Sequence, residues 1–167
     1  VEGIAYGAFA DCPAWEAISV DSTNTHYDSR DNCNGIICTW KGTLMLVAGC
    51  KNTTIIDRIG YIAPQAFRGC RDLTAVSFPE RMEEIGDSAF MDCVALQEVS
   101  LPQGVRFVEP ATFMGCKSLQ TVTLTKSIER LQKNAFKGCK RLTKIVCPKN
   151  YPPIIDEAFD SYDVTDD

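Results

Sequence analysis

The chain has 167 residues, 45% of them hydrophobic, and a formal net charge of −5 from 17 Lys/Arg and 22 Asp/Glu. That composition belongs to one folded domain with its own core, not to a disordered chain. No Lys/Arg cluster breaks the acidic balance, which argues against nucleic acid or an anionic membrane as partner, and the longest apolar stretches, such as 44–48, are far too short to cross a bilayer.

The first segment, 4–20, carries Ala8-Phe9 and Cys12, then Trp15, Ile18 and Val20. Its meaning comes from what recurs later. Phe67, Phe90, Phe113, Phe136 and Phe159 follow one another at intervals of 23 residues. Three residues after the first four stand Cys70, Cys93, Cys116 and Cys139, and six after them Leu73, Leu96, Leu119 and Leu142. Val76, Val99, Val122 and Ile145 come next, then Phe78, Leu101, Leu124 and Cys147. Ile85, Val108, Leu131 and Ile154 stand five before the next Phe. Such register over four units is an internal repeat, and a unit that cannot bury its apolar side alone must stack into a solenoid.

Between the first segment and the regular units, 21–34 is rich in Asp, Asn, Ser and Thr and reads as loop. Segments 36–40 and 44–48 flank Lys41-Gly42-Thr43 and read as a β-hairpin. Phe9 to Phe67 is 58 residues, which reads as two units plus 12 extra, with the irregular island at about 21–49. Counting back from Phe67 places Cys50, Thr53 and Ile55 on the Leu, Val and Leu columns, so 50–55 is expected to be a strand. Within each later unit, Leu-x-x-Val-x-Leu alternates as a short strand with one buried side. The spacing of Ile85, Ala89, Phe90 and Cys93 fits a short helical or 3₁₀ turn, which Gly69, Gly115 and Gly138, or Asp92 in their place, let the chain leave. The expected fold is a β-rich solenoid with a parallel sheet on one side and short turns on the other. The repeat is already running at Ile4 and the last unit is incomplete, so the native protein is expected to continue past Asp167.

The run Ala89-Phe90-Met91-Asp92-Cys93-Val94-Ala95-Leu96-Gln97-Glu98-Val99-Ser100-Leu101-Pro102 resembles the BspA-like leucine-rich repeats of bacterial surface proteins, over about residues 50–159. The text of 27–34 is similar to an island seen between units in that family. The resemblance implies a right-handed solenoid, a secreted or surface location, and adhesion to host matrix proteins. It also supports a disulfide between Cys33 and Cys50, which bracket the hairpin.

No residue set points to catalysis. A repeat spreads the Cys column along a line, so the column reads as small buried core residues, not as a metal or redox centre. His26 stands in a polar loop without a motif. The acidic tail (Asp156, Glu157, Asp160, Asp163, Asp166, Asp167) lacks the spacing and glycine of a calcium loop. No cofactor is expected. The candidate contact surface is therefore the outward side of the sheet: Thr74, Ala75, Ser77, Gln97, Glu98, Ser100, Gln120, Thr121, Thr123 and Lys144. Tyr27 and Trp40 of the island are rival contact residues. The expected function is a non-catalytic module binding a protein or glycan; the alternative is an intracellular binding or inhibitor solenoid with reduced cysteines.

Overall fold

The computed structural model describes residues 1–150, 153–155 and 157–159. Among the described residues, ten strands follow a single 3₁₀ turn at Arg30–Asn32. They are β1 (Gly35–Trp40), β2 (Thr43–Gly49), β3 (Ile59–Ile62), β4 (Glu84–Ile85), β5 (Glu98–Ser100), β6 (Phe107–Val108), β7 (Thr121–Thr123), β8 (Arg130–Leu131), β9 (Lys144–Val146) and β10 (Ile154–Ile155). The molecule is a β-solenoid with almost no helix, as the repeat predicts.

The Leu-x-x-Val-x-Leu strands form the parallel sheet β5-β7-β9, with Val99, Val122 and Ile145 in register. A second side of each rung is also β, which the sequence reading missed. The residues before each Ala-Phe pair make the parallel runs β2-β3-β4 and β6-β8-β10. One expected column slips here: Leu131 pairs with Ile155, not with Ile154.

The third side holds the phenylalanines. Phe67, Phe90, Phe113, Phe136 and Phe159 stack face to face at centroid separations of 4.9, 5.5, 5.6 and 5.5 Å. The turns around them carry i→i+3 bonds, such as Cys93 N–H to Phe90 O at 3.2 Å, but no continuous helix. Their other amides reach the next rung. Gln65, Phe67 and Gly69 donate to the carbonyls of Asp87, Ala89 and Met91 at 3.0, 2.8 and 2.8 Å. Ser88, Phe90 and Asp92 repeat this onto Pro110, Thr112 and Met114, and Ala111, Phe113 and Gly115 onto Lys133, Ala135 and Lys137. Aiming alternate amides outward takes two left-handed residues per turn, four apart. The second is Gly69, Asp92, Gly115 or Gly138; the first is Gln65, Ser88, Ala111 or Asn134, all with φ of 53–60°. At Gly115 a side chain is barred twice, by φ +75° and by Asp92 Oδ1, which lies 2.2 Å from where a Cβ would stand.

The cysteine column now has a reason. Cys93, Cys116 and Cys139 donate their thiols to the carbonyls of Phe67, Phe90 and Phe113 at 3.1, 3.2 and 3.2 Å. Those carbonyls each accept only one backbone bond within their own turn, so the thiol satisfies a second, buried lone pair. Burial pushes the Cys93 and Cys116 thiols well above their ordinary range, so they stay protonated donors.

The irregular third corrects the count of units. Asp11 N–H donates directly to Arg68 O at 2.9 Å, and a Cβ on Gly7 would stand 2.5 Å from Gln65 Oε1. The turn 7–11 therefore sits immediately on the turn 65–69, with no Phe turn between them. The 58-residue interval is one step of 23 enlarged by 35. The island still supplies two sides of a rung, β2 and the segment 50–55. It omits the third: three residues join Leu46 to Cys50, where seven join the paired Ile62 to Cys70. The first segment closes that gap. Gly49 lies against the Phe67 ring, 2.2 Å from Cε1 at the Cβ position, and Phe9 packs instead on Trp15 at 4.9 Å. The expected strand at 50–55 is extended but unladdered, because Thr54 N–H and Thr53 Oγ1 bond back to Cys33 O and Asn34 O at 2.9 and 2.6 Å.

Phe90 is fully buried between two rings, with Phe78 edge-on at 5.7 Å. Phe90→Ala is expected to cost roughly 3–5 kcal/mol in urea unfolding. Phe9→Ala, at a half-buried position with one ring partner, should cost less than half of that.

Candidate ligand-binding faces

The β5-β7-β9 sheet presents the expected residues outward. Thr74, Ala75, Ser77, Gln97, Glu98, Ser100, Gln120 and Lys144 are exposed, and Thr121 and Thr123 are half-exposed. The ladder aligns them in rows: Glu98, Thr121 and Lys144 stand abreast, as do Ser100, Thr123 and Val146. A third row comes from backbone bonds, Gln97 N–H to Thr74 O at 3.2 Å and Gln120 N–H to Gln97 O at 2.8 Å. Thr74, Ala75, Gln97, Glu98, Gln120 and Thr121 line a shallow groove. It is small-residue and polar, with unused hydroxyls and amides and a carboxylate-to-ammonium gradient from Glu98 to Lys144.

The island does not flank this face with its hairpin. The strands β1 and β2 extend the other sheet through the β2–β3 pairing. Tyr27, expected to be exposed, is half-buried against the core, and its hydroxyl accepts Ile4 N–H at 2.9 Å. The side chain of Trp40 lies outside the described residues. The polar groups of the loop 28–34 hold the island together. Asp28 pairs with Arg30, Asp31 with Arg58 at 3.2 Å, and Asn34 accepts Ile18 N–H at 2.6 Å while donating to Glu16 O at 2.9 Å.

Cys33 and Cys50 are both buried and both free thiols in this structure. Cys33 Sγ donates to Gly35 O at 3.6 Å and Cys50 Sγ to Asn34 O at 3.9 Å. His26 is exposed, with Thr25 Oγ1 3.0 Å from Nδ1. Glu157 pairs with Lys133 at 2.9 Å; the remaining acids of the tail, Asp156, Asp160, Asp163, Asp166 and Asp167, lie outside the described residues. Among the described residues no group of three or more His, Cys, Asp or Glu could hold a metal ion, and no helix is long and apolar enough to cross a membrane.

The second sheet carries surface chemistry that the sequence reading passed over, because it treated the stretch before each Ala-Phe as the approach to a turn. Registered pairing aligns Tyr61 with Glu84, and Phe107 with Arg130, on its outward side. The sheet breaks between β4 and β6, and a groove lies across the break, lined by Tyr61, Glu83, Glu84, Arg106, Phe107 and Glu109. Tyr61 donates its hydroxyl to Glu83 at 2.7 Å. Arg106 lies over the Phe107 ring at 5.4 Å and grips Glu129 through two bonds of 2.8 and 3.0 Å. Burial, then the Glu84 carboxylate, push the Glu109 carboxyl up; the amide of Gln132, 2.7 Å away, pulls it back, and Asp87 adds to the rise.

The sequence matches the BspA-type leucine-rich-repeat region in six copies over residues 47–165. No curated protein matches the chain by sequence. Similar solved structures include a leucine-rich cell surface protein of Faecalibacterium prausnitzii (22% identity, 83% of this chain and 43% of that one, TM-score 0.60). A leucine-rich-repeat protein of Eubacterium ventriosum (21%, 89% and 45%, 0.63) and the pneumococcal vaccine antigen PcpA (20%, 86% and 37%, 0.67) share the fold as well. The chain spans less than half the length of each of these three proteins.

A carboxyl whose folded-state pKa is raised favours folding only while protonated. Stability then falls as pH rises from the ordinary carboxyl range through the raised value. Glu109→Gln should therefore melt with the wild type near pH 3 and above it at pH 7; equal melting temperatures at both would contradict the assignment.

Proposed function

Because this chain belongs to the BspA-type leucine-rich-repeat family, we propose that it is a non-catalytic binding module of a secreted or cell-surface bacterial protein. On this reading its ligand is a protein or glycan, and the specific role is adhesion to host matrix proteins. The observation that carries this reading is the outward side of β5-β7-β9. Its rows are periodic and mostly polar, its hydroxyls and amides are unspent, and Val99 and Val122 close the core behind β5 and β7. Such a surface suits extended contact by many weak polar groups more than one deep anchor. A cell surface protein and a vaccine antigen are among the proteins of similar fold, which fits that setting.

One observation favours the alternative of an intracellular scaffold with reduced cysteines: Cys33 and Cys50 each have a carbonyl acceptor as thiols. Compartment decides between the two. Thiol titration of denatured, unreduced protein from its native host should find seven free thiols if Cys33 and Cys50 are joined outside the cell. Nine would favour the intracellular reading.

Retention on immobilised collagen, laminin and fibronectin tests adhesion. Wild-type protein is expected to bind at least one, and Gln97→Arg with Thr121→Arg to lose about tenfold or more in affinity as the face is blocked. No retention on any, or full retention by the folded double variant, would count against the role.

A further inference from the structure

The groove across the sheet break lies on a different side of each rung from the β5-β7-β9 face, and the proposed function makes no use of it. Its composition is unlike that face. Tyr61 pairs with Glu84 in register, and Phe107, 23 residues after Glu84, lines the same groove beyond the break. Phe107 is 37% exposed, an unusual position for phenylalanine on a polar surface. Glu83, Glu84 and Glu109 crowd the same groove, and the lone guanidinium lining it, Arg106, is already neutralised by Glu129. Arg130 stands on the next rung beside Phe107 and bounds the acidic stretch there.

We propose that this groove is a second binding site, and that it takes a lysine or arginine side chain from a basic segment of a partner protein. The charge balance selects the ligand. An uncharged sugar would leave the repulsion between the Glu84 and Glu109 carboxylates in place, whereas a cation offsets it and lays its alkyl stem against an aromatic ring of the groove. The ring faces show the right affinity: Phe107 already carries the Arg106 guanidinium over it at 5.4 Å. The Glu109 carboxyl is raised first by burial and then by the Glu84 carboxylate, and a cation bound between them would offset the second effect. The break between the sheets gives the ligand a recess that a continuous ladder would fill.

The test is a heteronuclear NMR titration of the full chain with the peptide acetyl-Lys-Ala-Lys-Ala-Lys-amide. Acetyl-Glu-Ala-Glu-Ala-Glu-amide and cellohexaose serve as the comparison ligands. The lysine peptide should shift the amides of Tyr61, Glu84, Phe107 and Glu109 and bind more weakly as salt rises. Phe107→Ala and Glu84→Gln should each weaken it about three- to fivefold. Asp72→Asn, exposed and outside both proposed sites, should leave it unchanged. Glu84 is exposed, so its variant keeps the test open if Phe107→Ala fails to fold. Three results would overturn the site: shifts confined to β5-β7-β9, binding of the sugar but not the lysine peptide, or full affinity in folded Glu84→Gln.

Discussion

The structure depends on one constraint: each Phe turn must bond to the next turn while its ring stacks on the next ring. The amides of Phe67, Phe90, Phe113 and Phe136 donate to a carbonyl 22 residues ahead at 2.8–2.9 Å, and the rings follow at about the same step. These two demands fix the unit length. They also require the paired left-handed residues, since ordinary backbone would turn alternate amides inward. The thiol of the next Cys then takes the last lone pair in the turn. Backbone, ring and cysteine thus form one device, and the two parallel sheets are kept in register by it.

That device explains why the island is tolerated. Solenoid rungs contact only their neighbours, so an insertion costs little if the stacking surface is restored. Here it is restored from two places in the chain. The hairpin brings β2 onto β3, and the first segment brings the turn 7–11 onto 65–69. Gly49 is needed where a ring would otherwise stand, because Phe67 leaves no room for a side chain. The result is a composite rung: β2 and 50–55 supply two sides, and the turn 7–11, remote in sequence, supplies the third.

Much of this was legible in the residues. Columns spaced by 23 gave the solenoid, the β5-β7-β9 strands and the burial of Leu96, Val99, Leu119 and Val122. The hairpin followed from Lys41-Gly42 between two apolar runs. Other features were hidden because no residue type announces them. Gln65, Ser88, Ala111 and Asn134 share a left-handed φ without sharing chemistry, so the first outward amide was invisible. Strands of two residues, such as Glu84–Ile85, are too short to show alternation, and the aromatic-acidic groove they support was missed with them. Tyr27 looked like an exposed aromatic because its partner, the backbone of Ile4, lies 23 residues away. Glu98, Ser100, Thr121 and Thr123 stand outward beside buried Val99 and Val122, as a period of two requires.

Native-state hydrogen exchange tests the central claim most directly, by asking whether turns, which usually exchange first, are here the most protected backbone. The amides of Phe67, Phe90 and Phe113 should exchange only through global unfolding, as slowly as Val99 and Val122 of the sheet, and Asp11 should be protected through its bond to Arg68. Rapid local exchange at the phenylalanines while the sheet stays protected would contradict it, and would return the turns to the role of passive connectors.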